Sequence, residues 1–334
     1  MIKNIRGIEG DDIPYHLSLL GYNADTMISD RYYFFPLNDH YNTHGPTWLT
    51  KTVEIAKTKE VVVFYDLVNT GDHEHNRFKQ FIWNFDHPNK VYLTVNQSPK
   101  FDMGPRVKIV QWDFMWNRIK AYYTEQVPGE RLHLHHYSAS KYNLFDLDFV
   151  KSRNKIFLSL LGREYGFRKA LYDQVIVHKD KGYVSNRSRG ITLEDHRVMG
   201  AFNPVPNTFY QDSYFSIYVE SNCTQQDLLH LTEKTFEPLF KGHFILPFTN
   251  PDAITRLETM GFEFPSFIDY ASINTTLDYD NRFACLLTAF KTLIDTPIDT
   301  IQDMYYDSRH LLQHNQDCLH SIPYDRRILE VFDV

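Results

Sequence analysis

Cysteine is scarce in this chain. Its 334 residues include three, Cys223, Cys285 and Cys318. They have no paired metal-ligand spacing, and an odd number does not build a disulfide framework. Long apolar runs are absent as well. No stretch approaches the roughly 18 consecutive apolar residues that a membrane-spanning helix needs. No leader-like segment opens the chain. These absences lead us to expect a cytoplasmic protein in a reducing compartment, with no membrane span. An excess of basic residues is missing too. The net charge of −7 does not advertise a nucleic-acid binder, although it leaves room for a local basic face. There is no internal repeat and no low-complexity tract. Four N-x-S/T matches, at Asn96, Asn186, Asn222 and Asn274, read as chance in a cytosolic chain.

What is present is an ordinary globular composition rich in aromatic residues. Hydrophobic residues make up 43% and charged residues 23%, which argues against disorder. The length suits two domains or one large one. In the first half, Glu60 to Asp66 has the continuous, short, β-branched character of a buried parallel strand, and Lys90 to Val95 and Arg106 to Trp112 read as a second and a third strand. Helical stretches are expected near 48–57 and 77–84. In the second half, Lys155 to Leu161 is a strand, Phe167 to Val175 a helix, and Gly182 to Gly190 a polar loop with two arginines. Phe215 to Glu220 alternates as a strand does. Thr232-Glu233-Lys234 opens a helix that Gly242 ends, and Phe244 begins another strand. Residues 280–294 form an amphipathic helix with Phe283, Leu286, Leu287, Phe290 and Leu293 on one side. A helical tail follows from Ile298. Alternating strands and helices define an α/β layer protein. The expected organisation is an N-terminal Rossmann-like domain over 1–150, a C-terminal Rossmann-like domain over 151–300, and a helical tail over 301–334 that packs back on the first domain.

Chemistry-bearing residues gather at the carboxyl ends of the second-half strands, where open α/β sheets bind ligands. Arg168 lies in the first turn of its helix. A cation there opposes the helix dipole unless an anion offsets it, whereas the N–H groups of such a turn attract anions. Arg168 therefore reads as a phosphate ligand or a solvated surface arginine. Two other features read as bland. His133, His135 and His136 divide imidazoles between the two faces of a strand, and Asp146-Leu147-Asp148 is a surface turn rather than a metal-holding D-x-D. No metal is expected.

The segment 155–250 resembles the nucleotide-sugar domain of the α-1,3-fucosyltransferases, in particular the short soluble bacterial kind. Glu220-Ser221-Asn222 is similar to the family's F-E-N stop. Leu231-Thr232-Glu233-Lys234 is similar to its Y-x-T-E-K motif. Phe167-Arg168-Lys169-Ala170-Leu171-Tyr172-Asp173 is similar to its I-R-x-A-x-Y-D helix start. Ser185 to Arg189, with Arg187, falls where the family has a polar S-x-R-N loop. The resemblance implies GT-B architecture, two Rossmann-like domains facing across a cleft. It implies an inverting glycosyltransferase whose co-substrate is a nucleotide-diphosphate sugar of GDP or UDP type, with no metal or other cofactor. Glu233 would hold the ribose hydroxyls, and Lys234 and Arg168 would neutralise the diphosphate. Glu220, Asn222 and Thr232 would shape the pocket, and Arg187 would join the donor site.

One departure stands out. The family's G-E-N-x-x-P, which carries its general base, corresponds here to Val95-Asn96-Gln97-Ser98-Pro99 and has no carboxylate. Asp66, Asp72 and Glu74 become the base candidates, with Asp113 beyond the third strand. Asp72 and Glu74 share their loop with His73 and His75, and a carboxylate–imidazole pair also serves as a base. The acceptor is then a glycan or, in a phage- or virus-type enzyme of an infected cell, hydroxymethylated DNA. A non-catalytic nucleotide- or glycan-binding module is the third possibility. Oligomeric state has no signature in the sequence.

Overall fold

The computed structural model describes residues 12–27, 31–37, 53–66, 79–94, 103–124, 144–162, 164, 166–193, 205–221, 223–224, 229–275 and 278–332. The chain divides into two compact units. Unit 1 comprises Met1–Arg118, Asp227–His230 and Tyr324–Val334, and unit 2 comprises Ile119–Gln226 and Leu231–Pro323. The division at 118/119 falls within a helix, Phe114–Thr124, that the apolar pattern did not announce. The histidines at 133, 135 and 136 lie outside the described residues. Among the described residues no helix is long and apolar enough to cross a membrane. No group of three or more His, Cys, Asp or Glu there could hold a metal ion.

Unit 1 contains a four-stranded parallel sheet in sequential order. Its strands are β1 (Tyr32–Pro36), β2 (Val61–Asp66), β3 (Lys90–Thr94) and β4 (Val107–Gln111). Side chains alternate between the faces of a strand, and this divides the core in two. One face gathers Phe34, Val63, Tyr65, Val91, Leu93 and Val110 under α1 (Asp12–Leu19) and the C-terminal turn Arg327–Phe332. The other gathers Phe35, Val62, Phe64 and Tyr92 against the helical runs at 53–57 and 79–84. Arg327 secures the C-terminal turn by donating from Nη2 to Asp113 Oδ2 at 3.0 Å. Asp113, just beyond β4, is thus engaged in packing.

Unit 2 contains a second four-stranded parallel sheet: β5 (Lys155–Leu161), β6 (Gly182–Asn186), β7 (Ser213–Val219) and β8 (Phe244–Phe248). Their spatial order is β6-β5-β7-β8. β7 and β8 are buried at every residue, so both faces of the sheet are covered. Numbering the remaining helices from α2 (Ala24–Met27) and α3 (Phe114–Thr124), α4 (Gly166–Val175) follows β5, and α5 (Asn207–Gln211) precedes β7. α6 (Glu233–Phe240) joins β7 to β8, and α7 (Ala253–Met260), α8 (Tyr270–Thr275) and α9 (Tyr279–Asp295) follow. On one face Phe290 of α9 meets Phe157 and Phe215, at ring separations of 5.2 and 6.4 Å. On the other, Tyr218 donates to Thr235 of α6 at 3.0 Å. There Tyr214 also meets Tyr305 of α10 (Ile298–Asp307). The tail helices α10 and α11 (Arg309–Ser321) belong to unit 2, and the chain joins unit 1 from Tyr324 on. Arg153, buried below β5, fixes α10: its guanidinium donates to the Tyr305 hydroxyl and lies 4.1 Å from that ring.

β6 corrects the expectation of a loop at 182–190. Only Gly182–Asn186 pairs with β5, and a short 3₁₀ turn, Arg187–Arg189, follows. It is an edge strand in which buried and half-buried residues alternate, and of its buried positions, Gly182, Val184 and Asn186, only Val184 is an apolar side chain, which hides the pattern. Gly182 is what lets it pair. A Cβ there would meet three Phe157 ring atoms at 2.2–2.4 Å. Gly182→Ala is therefore expected to destabilise the protein by about 1–3 kcal/mol, as overpacking does. Denaturant titration would show this as a lower midpoint, and adding Phe157→Leu should recover part of it.

Candidate functional site

The order of the second sheet locates the site. From β5 the chain steps to β6 on one side, then returns past β5 to β7 on the other. That reversal makes a topological switch point at the carboxyl ends of β5 and β7, where open α/β sheets bind ligands. Among the described strands of unit 1 the order runs one way only, and no such point arises.

Four structural pieces meet at this edge. β5 leads through Gly162, Glu164 and Gly166 into α4, whose first turn carries Arg168. β6 ends at Asn186 and the exposed Arg187. Glu220 and Ser221 directly follow β7. β8 ends beside them, since the Glu220 amide donates to the Phe248 carbonyl at 2.9 Å.

Glu220 is fully buried and is bound on both oxygens. Oε1 accepts from the Thr232 amide at 2.9 Å and from the Thr235 hydroxyl at 2.7 Å. Oε2 accepts from the Thr232 hydroxyl at 2.7 Å and the Ser221 amide at 3.3 Å. An ionised carboxylate is acceptor-only, and four donors saturate this one. Its role is to tie the end of β7 to the first turn of α6. Thr232 caps that helix: its hydroxyl accepts from the Lys234 amide at 3.3 Å, as N-cap threonines do. Glu233 and Lys234 then stand at the helix entrance. Lys234 Nζ donates to Glu233 Oε1 at 2.6 Å and reaches Thr232 Oγ1 at 3.3 Å. Both side chains keep some solvent contact, unlike Glu220.

Arg168 is 7% exposed, which sets it apart from a solvated surface arginine. Its Nη2 donates to the Ser221 hydroxyl at 3.0 Å. Its neighbour Phe167 packs the other way, against Phe248, Phe283 and Tyr279, with ring separations of 4.7, 4.9 and 5.7 Å. The α4 entrance is further braced by Arg189, which donates from Nε to Glu164 Oε2 at 2.8 Å and lies over the Tyr172 ring. That contact holds the Glu164 carboxyl below the usual carboxylate range.

The residues expected to form a donor site thus divide. Arg168, Glu220, Thr232, Glu233 and Lys234 converge at the β5/β7 edge, and Arg187 closes the neighbouring strand. Asn222 lies outside the described residues, as do Asp72, Glu74 and their histidines. Asp66 closes β2 with its backbone, and its side chain is also outside the described set. Asp146 and Asp148 form the surface turn expected of them. Both are exposed, and Asp148 Oδ1 accepts from the amides of Val150 and Lys151.

Sequence reasoning missed one residue here, Arg282 of α9. It is 1% exposed, and its Nη2 donates to the Cys223 carbonyl at 2.8 Å. A signal existed. Position 282 precedes Leu286, Phe290 and Leu293 by 4, 8 and 11, so it lies on the apolar stripe of its helix. A charge on a core-facing stripe marks a buried charge that needs a reason.

Comparison with protein-family models and with curated proteins found no match to this chain.

Proposed function

We propose that the β5/β7 edge of unit 2 binds the diphosphate of a nucleotide-diphosphate sugar and that the protein is a glycosyltransferase. In this reading it is inverting and metal-independent, with its two units as the halves of a GT-B enzyme. The observation that carries the reading is the convergence, at one switch point, of buried Arg168 with the Glu233–Lys234 pair mounted on a helix entrance.

The chemistry suits those residues. As the glycosidic bond to the diphosphate breaks, negative charge grows on the leaving phosphate. Cations already in place there stabilise the transition state more than the ground state. Lys234 holds Glu233 in the present arrangement. On donor binding the ammonium turns to phosphate, and the freed carboxylate accepts from ribose hydroxyls. The exchange leaves the ammonium paired with phosphate and the carboxylate hydrogen-bonded. Glu220 and Thr232 act one step back, fixing the helix entrance on which that exchange occurs. The acceptor is a hydroxyl of a glycan, activated by a unit 1 carboxylate from among Asp66, Asp72 and Glu74. We further propose a cytoplasmic location.

The test is a titration with GDP and UDP, followed by nucleotide release from a panel of nucleotide sugars. One of the two nucleotides is expected to bind and to raise the melting temperature. Lys234→Ala is expected to weaken that binding by about tenfold or more, since a charge-assisted hydrogen bond contributes about 1.5–3 kcal/mol. If neither nucleotide binds and Lys234→Ala changes nothing, the proposal fails. Salt-sensitive binding to hydroxymethylated duplex DNA would shift the acceptor from glycan to DNA.

A further inference from the structure

We propose that Arg282 is a positioning residue for the anion site: it holds the turn that carries Ser221 and Cys223, and through that turn it sets where Arg168 points. The inference rests on the nucleotide-binding reading above and adds a residue that the motifs do not include.

The geometry is a two-sided grip on one turn. From α4, Arg168 donates to the Ser221 hydroxyl at 3.0 Å. From α9, Arg282 donates to the Cys223 carbonyl at 2.8 Å. The Arg282 guanidinium also lies 5.4 Å from the ring of Phe248, the last residue of β8. It therefore links the ends of β7 and β8 at the edge where the anion would sit. Its own helix entrance is fixed by Asp278, whose Oδ1 accepts from the amides of Asp280 and Asn281.

Mere bracing does not call for an arginine. Burying a guanidinium costs desolvation, and an apolar residue against Phe248 would pack at lower cost. Cys223 does not offset the two cations. Burial pushes its thiol up to about 12, although Arg168 and Arg282 both pull it down. The thiol stays neutral, and the carboxylates whose charge reaches this turn are those of Glu220 and Asp278. Lysine is a poor substitute, because the planar fork is what both stacks on the ring and reaches the carbonyl.

The test uses the full chain and inorganic pyrophosphate, with GDP and UDP alongside, by calorimetric titration well below the melting temperature. Arg282→Met is expected to weaken binding about tenfold, an effect transmitted through Arg168. The same substitution added to Arg168→Met should then weaken it by no more than about twofold, because groups acting through one another are non-additive. Arg282→Lys, the variant to rely on if Arg282→Met does not fold, should bind about threefold more weakly than wild type. Phe290→Leu, on the same helix but in the core, supplies a loss of stability without a loss of affinity. Unchanged affinity in the Arg282 variants would overturn the inference. So would an equal loss on both Arg168 backgrounds, or a matching loss in Phe290→Leu. Failure of the wild-type protein to bind any of the three ligands would instead overturn the nucleotide-binding reading itself.

Discussion

Lys241→Met is expected to cost about 3 kcal/mol of folding stability at pH 8 and much less at pH 5. Lys241 and Glu237 are one turn apart at the end of α6, and both are buried. Glu237 Oε1 accepts from the Val205 amide at 3.1 Å and the Tyr123 hydroxyl at 3.3 Å. Lys241 donates to Asn207 and lies over the rings of Tyr123 and Phe145. Desolvation raises the Glu237 pKa, partly offset by Lys241. Desolvation likewise lowers the Lys241 pKa, partly offset by Glu237. A carboxyl whose folded pKa is raised contributes its full stability below its unfolded value and loses it as pH rises through the folded value. An amine whose folded pKa is lowered contributes fully above its unfolded value and loses that as pH falls through the folded one. Methionine keeps the packing of the lysine stem but removes the counter-charge. Glu237 then binds its proton more tightly still, so the deficit opens as pH climbs. Melts at pH 5 and pH 8 measure it. Adding Glu237→Gln, which keeps an acceptor for Val205 and Tyr123, should recover most of the loss at pH 8. An equal loss at both pH values would show that packing, not charge, is what Lys241 supplies.

That pair also marks where sequence reading stops. β2 and β5 are legible because a parallel strand buried on both faces must be apolar throughout, and Val61–Tyr65 and Ile156–Leu158 are. The reversal of strand order was not legible, because it depends on β6, an edge strand whose buried positions include Gly182 and Asn186 rather than an apolar run and whose pairing rests on Gly182 fitting under Phe157. Glu233 and Lys234 could be singled out because Thr232-Glu233-Lys234 opens a helical stretch just after a polar strand end. Glu220 could be singled out as the polar end of a strand, but its saturation by four donors comes from α6 docking, which no local pattern encodes. Lys241 and Arg153 look like surface residues in a one-dimensional reading, and Arg282 is marked only by its place on an apolar stripe. Their burial is decided by what converges on them from elsewhere in the chain: Tyr123 and Phe145, Tyr214 and Tyr305, Phe248 and Cys223.

Arg168→Met is expected to weaken nucleoside diphosphate binding by roughly 10- to 100-fold, the range of one or two charge-assisted hydrogen bonds to phosphate. Stability of the ligand-free protein should stay within about 1 kcal/mol of wild type, because the terms there oppose one another. Losing the bond to Ser221 destabilises the turn. Against that, a buried cation is removed from the amino end of α4, where it opposes the helix dipole and has given up most of its hydration. An arginine kept for packing alone would show the reverse, a large fall in melting temperature with affinity preserved. The two outcomes separate along independent axes, thermal unfolding without ligand and titration with GDP or UDP. Arg168→Lys refines the result: a point charge retains attraction to phosphate but not the fork that reaches Ser221 at the same time. It should therefore recover part of the affinity, and rates measured at saturating donor should remain below wild type. The logic extends to the whole edge. Glu220, Thr232 and Thr235 form a saturated network whose loss should unfold the helix entrance, whereas Arg168, bonded to Ser221, and Lys234, paired with Glu233, are the cations that the proposed diphosphate would engage.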